Sequence, residues 1–293
     1  MNKITLFLLG FTFLIGCKDK QIQEASGTIK TLSYNVAGLP SGISSSQPLR
    51  NTSLISPLLN EFDLIHVQED FCYHDSLLLF NNHRYVSPDI PCVGDGLNSF
   101  SNYPVLGFER VQWNDCTNAD CLSLKGFSYS KIAIEGDVTI DFYNLHCNAG
   151  GSLSSIDARR KNLYQFLDYV NTNSVGEPII IMGDFNHKYT RLGDSTRLML
   201  EQGFNDPWLD LIRNNNIPAY DTDNLGDCFP INTNQLCEGV DKVFYRGNDE
   251  MQISVLFYQY GDDDRYYYQG DLSQALSDHS PLFVTFQYDF KRN

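Results

Sequence analysis

Residues 179–182 read Ile-Ile-Ile-Met without a polar interruption, and the chain then runs through Gly183 into Asp184 and Asn186. A short apolar run with no alternation is the pattern of a central strand covered on both faces. A chain that contains such a strand has to build layers, with a sheet inside and other elements packed against it. Further strands are expected at Thr28–Tyr34, Leu64–Glu69, Pro104–Trp113, Gly126–Ile134, Val138–Leu145, Asp241–Tyr245, Gln252–Tyr260 and Leu282–Tyr288. Several of these alternate, as in Phe127-Ser128-Tyr129-Ser130, so one sheet face is buried and the other is more polar. The clearest helix is Ser155–Val170, which puts Leu163, Phe166, Leu167 and Val170 on one face behind a capping box of Ser154 and Asp157. Weaker helices are expected around Asn51–Asn60, despite Pro57, and around Ser195–Gln202 and Pro207–Arg213. No repeat and no internal linker interrupts the series, so residues 28–290 read as one strand-rich α/β domain.

The first 17 residues have a different role. Met1–Cys17 carries Lys3, an apolar run from Ile4, and the ending Leu14-Ile15-Gly16-Cys17. The run is too short to span a bilayer, which takes about 20 such residues, and a secretory signal peptide over residues 1–16 is expected instead. Its ending resembles the lipobox of bacterial lipoproteins, which implies cleavage before Cys17 and a diacylated Cys17 as the membrane anchor. Residues 17–27 are polar after that cysteine and read as a tether. An exported lipoprotein held at the cell envelope is therefore expected.

Cysteine usage agrees with an oxidising compartment, since no Cys-x-x-Cys zinc spacing occurs. Cys116/Cys121 and Cys228/Cys237 each flank a short polar loop, Cys72/Cys92 could close another, and Cys147 would be left over. Spacing alone does not select this pairing. The formal net charge is −15 over 293 residues, with 42% hydrophobic and 19% charged residues. That composition excludes a disordered chain or a coiled coil. The acidity also argues against a protein that holds nucleic acid by neutralising phosphates.

Polar residues recur where strands end or begin. Asn35 follows the first strand, and Glu69, His146, Asp184 and Asn186 stand at later ends. Asp241 opens another strand, and Asp278-His279 precede the last. Singly, each has an ordinary explanation: a turn residue for Asn35 or Asn186, a helix N-terminal acid for Glu69. His66 and His83 lack this context and are expected to be structural or exposed. Together the set joins carboxylates, amides and imidazoles on what would be one rim of an α/β scaffold, as divalent-metal phosphoester hydrolysis requires.

On these residues the chain resembles the endonuclease/exonuclease/phosphatase superfamily. The matching pieces are Ser33-Tyr34-Asn35-Val36, Val67-Gln68-Glu69, Asn144-Leu145-His146, Gly183-Asp184-Phe185-Asn186, Val240-Asp241-Lys242-Val243 and Ser277-Asp278-His279-Ser280-Pro281, in family order. The resemblance implies a DNase-I-like fold: a four-layer α/β/β/α sandwich of two stacked mixed β-sheets flanked by helices. It also implies a Mg²⁺ cofactor, with Mn²⁺ or Co²⁺ as substitutes, bound by Glu69 with Asn35 and Asp278. His279 would be the general base and Asp241 its orienting carboxylate. Asp184 would contact the attacking water or the leaving oxygen, and Asn186 and His146 the phosphate.

A second resemblance narrows the branch. Asp120-Cys121-Leu122-Ser123-Leu124-Lys125-Gly126-Phe127 looks like the Leu-Ser-x-Lys-Gly-Phe segment of neutral sphingomyelinases, and Gly94-Asp95-Gly96-Leu97 with Ser101-Asn102-Tyr103-Pro104 resembles their strand-turn-strand. It implies a phospholipid substrate contacted by Lys125, with Tyr266, Tyr267 and Tyr268 offering ring faces to a quaternary ammonium. The aromatic stretch Tyr258–Tyr268 departs from a membrane hairpin in carrying Asp262-Asp263-Asp264. A nuclease or polyphosphate phosphatase of the same superfamily would want more cations than Lys125, Lys188, Arg191 and Lys242 provide. A surface binding module would leave the metal and His–Asp residues without a chemical role. A monomer is expected, with nucleic acid the less favoured partner.

Overall fold

A computed structural model of the chain describes residues 22–44, 46–88, 92, 94–220, 225–226, 228, 235–261, 263–271 and 273–292. The expected signal peptide, Cys17 and most of the tether lie outside these residues, as does Asp262. Among the described residues eleven strands form two sheets. The first has six strands in the order β10 (Met251–Tyr260), β11 (Leu282–Lys291), β1 (Glu24–Asn35), β2 (Leu64–Gln68), β4 (Asn98–Ser101) and β3 (Tyr85–Val86). The second has five, β5 (Val105–Gln112), β6 (Gly126–Glu135), β7 (Val138–His146), β8 (Ile179–Asp184) and β9 (Asp241–Arg246), in chain order. Each sheet is mixed, because β1 runs parallel to β2 and β7 parallel to β8 while their other neighbours are antiparallel.

Alternation along the strands builds the layers. Ile29, Leu64, Ile140, Phe142, Ile180, Met182, Val243, Val284 and Phe286 fill the space between the sheets. The opposite faces carry two further cores. Tyr143, Leu145, Ile179, Ile181 and Phe244 pack under α3 (Leu153–Asn173), through Leu163, Phe166 and Val170. Leu32, Tyr34, Ile65, Val67 and Phe283 pack under α1 (Pro48–Ile55) and the 3-10 turn Ser56–Glu61. The result is the four-layer α/β/β/α sandwich expected from the sequence, and residues 179–182 are its doubly covered strand.

Local differences have physical causes. β1 begins at Glu24 rather than Thr28, because its backbone pairs with β11 out to Glu24–Lys291; residues 24–27 are therefore strand and not tether. α3 starts at Leu153 with Ser152 as its cap, accepting from the Ser155 amide, while Asp157 pairs with Arg160 and Lys161 instead of closing a capping box. The helix expected over 51–60 changes to 3-10 geometry at Ser56, immediately before Pro57, which has no amide hydrogen to continue the α pattern. Short α2 (His74–Leu78), β3 and β4 have too few residues for a periodicity to show. Cys72–Cys92, Cys116–Cys121 and Cys228–Cys237 are bonded, and Cys147 is free and buried.

Candidate active site

The inward-facing positions of four strands change from apolar to polar toward one end of the sandwich. On β1 the series runs Ile29, Thr31, Ser33, Asn35; on β2, Leu64, His66, Gln68; on β7, Phe142, Asn144, His146; on β8, Ile180, Met182, Asp184. These strands end at that edge, and β9 starts there with Asp241. Period-two alternation thus delivers polar side chains from both sheets to one cleft floor.

Asp184 is the centre of the network. Its Oδ1 accepts from the Asn186 amide at 2.9 Å, fixing the turn in which Asn186 takes a φ of 54°. Its Oδ2 accepts from Asn35 Nδ2 at 3.2 Å and lies 3.2 Å from His146 Nε2 and 3.7 Å from His279 Nε2. Asn35 Nδ2 also donates to Glu69 Oε1 at 3.2 Å, so one amide joins two carboxylates from different sheets. Burial pushes the Asp184 carboxyl up, but the charges of His146 and His279 outweigh it and hold the group below the usual carboxylate range.

Glu69 stands in the left-handed region at φ 55°, which turns its side chain out of β2 and over the cleft. Its carbonyl accepts from the Gly38 and Phe71 amides, both at 2.9 Å. A Cβ on Gly38 would fall 2.5 Å from that carbonyl, so this approach requires glycine. The same holds at Gly183, where a Cβ would meet the Leu145 carbonyl at 2.1 Å.

His279 Nδ1 and Asp241 Oδ2 are 2.8 Å apart, and Tyr260 donates its hydroxyl to the same oxygen at 2.5 Å. Burial lowers the basicity of the His279 ring, but Asp241 and Asp184 outweigh it and push the pKa up to about 10. Burial also raises the Asp241 carboxyl, against the opposing pull of His279. The His279 side chain keeps 19% exposure, leaving Nε2 facing the cleft and Asp184. His146 Nε2 lies 2.9 Å from Lys125 Nζ, and Lys125 in turn pairs with Asp120 at 2.6 Å. His146 Nδ1 is buried without a partner among the described residues.

The structure therefore brings together Asn35, Glu69, Lys125, His146, Asp184, Asn186, Asp241 and His279. Asp278 is solvent-exposed beside His279 and raises its pKa through charge. The expected tyrosine faces require correction. Tyr266 and Tyr267 are buried, with Tyr266 edge-on to Tyr34 and packed against Phe283, and Arg50 covers the ring of Tyr268 at 4.0 Å. The apolar demand of the core under β1 and β11 takes the rings of Tyr266 and Tyr267, and Arg50 already occupies the face of Tyr268.

Three supports were not singled out from the sequence. Gln68 donates to Asn144 at 2.8 Å across the sheets, and Asn144 donates to the Val67 carbonyl at 2.9 Å. Both occupy inward positions, Asn144 two residues from Phe142 and Gln68 four from Leu64, and that period was the available signal. Glu238 accepts from the amides of Tyr189 and Thr190 and from Lys242 at 3.3 Å, clamping the loop after Asn186. The Tyr260 contact to Asp241 has no local pattern.

The donor set fits a hard divalent cation. Glu69 and Asp184 are gathered on one amide, and ligand atoms of Asp184, Asp241 and His279 lie within 4.8 Å of one another. Clustered carboxylate oxygens are the ligands that Mg²⁺ selects, while Asn35 presents its Nδ2 to them and its Oδ1 accepts from the Ala37 amide at 3.1 Å.

No family model matches the chain. Sphingomyelinases of Mycobacterium bovis and Mycobacterium tuberculosis are each 34% identical to it over 276 residues, covering 90% of this chain. The chain spans about half the length of these relatives, 53%. Sphingomyelinase C from Streptomyces griseocarneus shares the fold with a TM-score of 0.62 at 17% identity, covering 88% of this chain and 99% of that one. Beta toxin from Staphylococcus aureus with bound magnesium ions gives 0.60 at 17%, covering 91% and 100%. TDP2 from D. rerio complexed with a single-strand DNA product gives 0.60 at 16%, covering 88% and 98%. With two stacked mixed sheets, six ordered motifs converging on one edge and these relatives, the chain belongs to the endonuclease/exonuclease/phosphatase superfamily, on its neutral sphingomyelinase branch.

Proposed function

We propose that this protein is a divalent-metal-dependent phosphodiesterase that cleaves choline phospholipids, sphingomyelin first, to phosphocholine and the lipid alcohol. The observation that carries the reading is the Asp241–His279 pair with Nε2 directed at Asp184, beside the Glu69–Asn35 carboxylate–amide set. His279 takes the proton of the attacking water at Nε2, and Asp241 holds the Nδ1 proton and stabilises the imidazolium. Asn186 and His146 hydrogen-bond the phosphate, and Lys125 stands at the same His146 nitrogen that faces Asp184. Glu69 and Asn35, with Asp278 at the rim, would hold Mg²⁺, or Mn²⁺ or Co²⁺ in its place. The ion supplies stabilisation of charge growing on the phosphoryl oxygens.

Lipid is favoured over nucleic acid by charge. Lys125 is tied to Asp120 and Lys242 to Glu238, which leaves neither to neutralise a polyphosphate backbone. The mycobacterial sphingomyelinases point to the same substrate. Export and anchoring through a lipidated Cys17 complete the proposal, and they rest on the sequence Leu14-Ile15-Gly16-Cys17. The test is a substrate panel of sphingomyelin micelles, phosphatidylcholine, single-stranded DNA and bis(p-nitrophenyl) phosphate, each with and without EDTA. EDTA-sensitive release of phosphocholine from sphingomyelin is expected. Degradation of DNA with no phosphocholine release would overturn the lipid reading and favour a nuclease.

A further inference from the structure

An apolar cleft of about 320 Å³ opens directly beside the catalytic residues, sharing Glu69 and Lys125 as part of its lining. Leu39, Pro40 and Ile43 from one segment, Ala119 and Leu122 from another, and Phe71 supply its apolar lining. Ile43 is 73% exposed and Leu122 81% exposed. Isolated exposed leucines are ordinary on a protein surface. These two are different because they line one cleft whose polar part is the hydrolytic site.

The walls are built in advance. Ile43 and Ser44 both donate backbone hydrogen bonds to the Pro40 carbonyl, closing a turn over 40–44. The 3-10 turn Asn118–Leu122 is held by the Cys116–Cys121 disulfide at its base, and Cys72–Cys92 ties the segment after Phe71. Apolar side chains fixed toward water in this way cost little ordering on binding.

We infer that this cleft is the lipid-docking subsite: Ile43 and Leu122 enter the hydrocarbon edge of a zwitterionic membrane, and the alkyl part of the phosphodiester leaves the site between them. The inference rests on the proposed lipid phosphodiesterase reading and adds where the lipid lies. Continuity decides the occupant, since Glu69 lines both this cleft and the hydrolytic site, and a phosphodiester held at that site has its ester substituent within reach of these walls. The charge of −15 makes an anionic surface a poor partner, which leaves zwitterionic lipid. The buried Tyr266 and Tyr267 are not part of this surface.

The test uses the full chain with Ile43→Glu, Leu122→Glu and, as a control, Val175→Glu. Val175 is 75% exposed in the turn before β8, at the opposite end of that strand from Asp184. Rates are read on sphingomyelin in mixed micelles and on soluble p-nitrophenylphosphorylcholine. For both cleft variants the ratio of kcat/KM on sphingomyelin to that on the soluble ester is expected to fall about tenfold or more, because an apolar side chain entering lipid is replaced by a charge. Val175→Glu is expected to keep the wild-type ratio. A Leu122→Trp reporter is expected to shift its emission to the blue on adding micelles and to be quenched by doxyl-labelled lipid. The inference is overturned if both substrates fall together in the cleft variants, if their ratio stays at the wild-type value, or if the reporter remains in water. Wild type that cleaves the soluble ester but not sphingomyelin would instead overturn the lipid reading of the site, and the reporter separates the two failures.

Discussion

Asp241 and His279 lie 38 residues apart in the chain, yet Oδ2 of one is 2.8 Å from Nδ1 of the other. Asp241 opens β9 in the five-stranded sheet, and His279 precedes β11 in the six-stranded sheet. The pair therefore exists only when the two sheets are stacked in register. Tyr260, from the end of β10, donates to the same carboxylate and fixes its orientation.

If His279 is the base, His279→Ala lowers kcat by about 10²–10⁴. Glu69→Gln is expected to lower activity at low Mg²⁺ and to recover part of it as Mg²⁺ is raised, since the amide keeps one oxygen donor. Initial rates across a Mg²⁺ titration check both, and full activity in EDTA would contradict the mechanism.

The ring of His279 has its pKa pushed up to about 10 by Asp241 and Asp184 against the effect of burial. Asp241→Asn removes the nearer negative charge and is expected to bring that pKa down. Adding Mg²⁺ is expected to lower it as well, because positive charge beside Asp184 opposes the imidazolium. Histidine chemical shifts followed by NMR against pH report both changes. An unchanged titration in Asp241→Asn would show that another group sets the pKa.

Burial lowers the pKa of His66 to about 3. The folded ring therefore stays neutral while the unfolded chain takes up a proton near pH 6.5. Its contribution to stability is complete above that value and is lost as the pH falls from 6.5 toward 3. Across this window His66→Gln is expected to reduce the slope of unfolding free energy by about 1.4 kcal/mol per pH unit. Denaturant titrations at pH 6 and pH 4.5 measure the difference, and parallel slopes in wild type and variant would rule it out.

Tyr266 packs edge-on to Tyr34 with ring centroids 5.3 Å apart. Tyr266→Ala should therefore act on stability, costing about 3–5 kcal/mol as other aromatic truncations in cores do. A change in lipid KM with unaltered thermal stability would instead return this ring to the substrate. Calorimetry alongside micelle kinetics distinguishes the two outcomes.

Cys17→Ser is expected to abolish incorporation of labelled fatty acid into the protein, since the thioether carrying the diacylglycerol cannot form on serine. Equal labelling of wild type and variant would refute the lipoprotein reading.

The sequence alone determined the layered architecture and most of the site. Unbroken apolar residues over 179–182 required a strand covered on both sides, and period-two alternation placed Asn35, His146 and Asp184 on inward faces at strand ends. Those patterns are local, so they survive in a one-dimensional reading. What joins residues across the two sheets is not local. The Asn35 bridge between Glu69 and Asp184, the Gln68–Asn144 stitch and the contact of Tyr260 with Asp241 each depend on which strands stack and at what register. The tyrosines show the same division. Tyr258–Tyr268 reads in sequence as a set of aromatic faces, and only packing against Tyr34 and Phe283 turns Tyr266 into core, because burying a large ring in an apolar layer outweighs leaving it exposed at the rim.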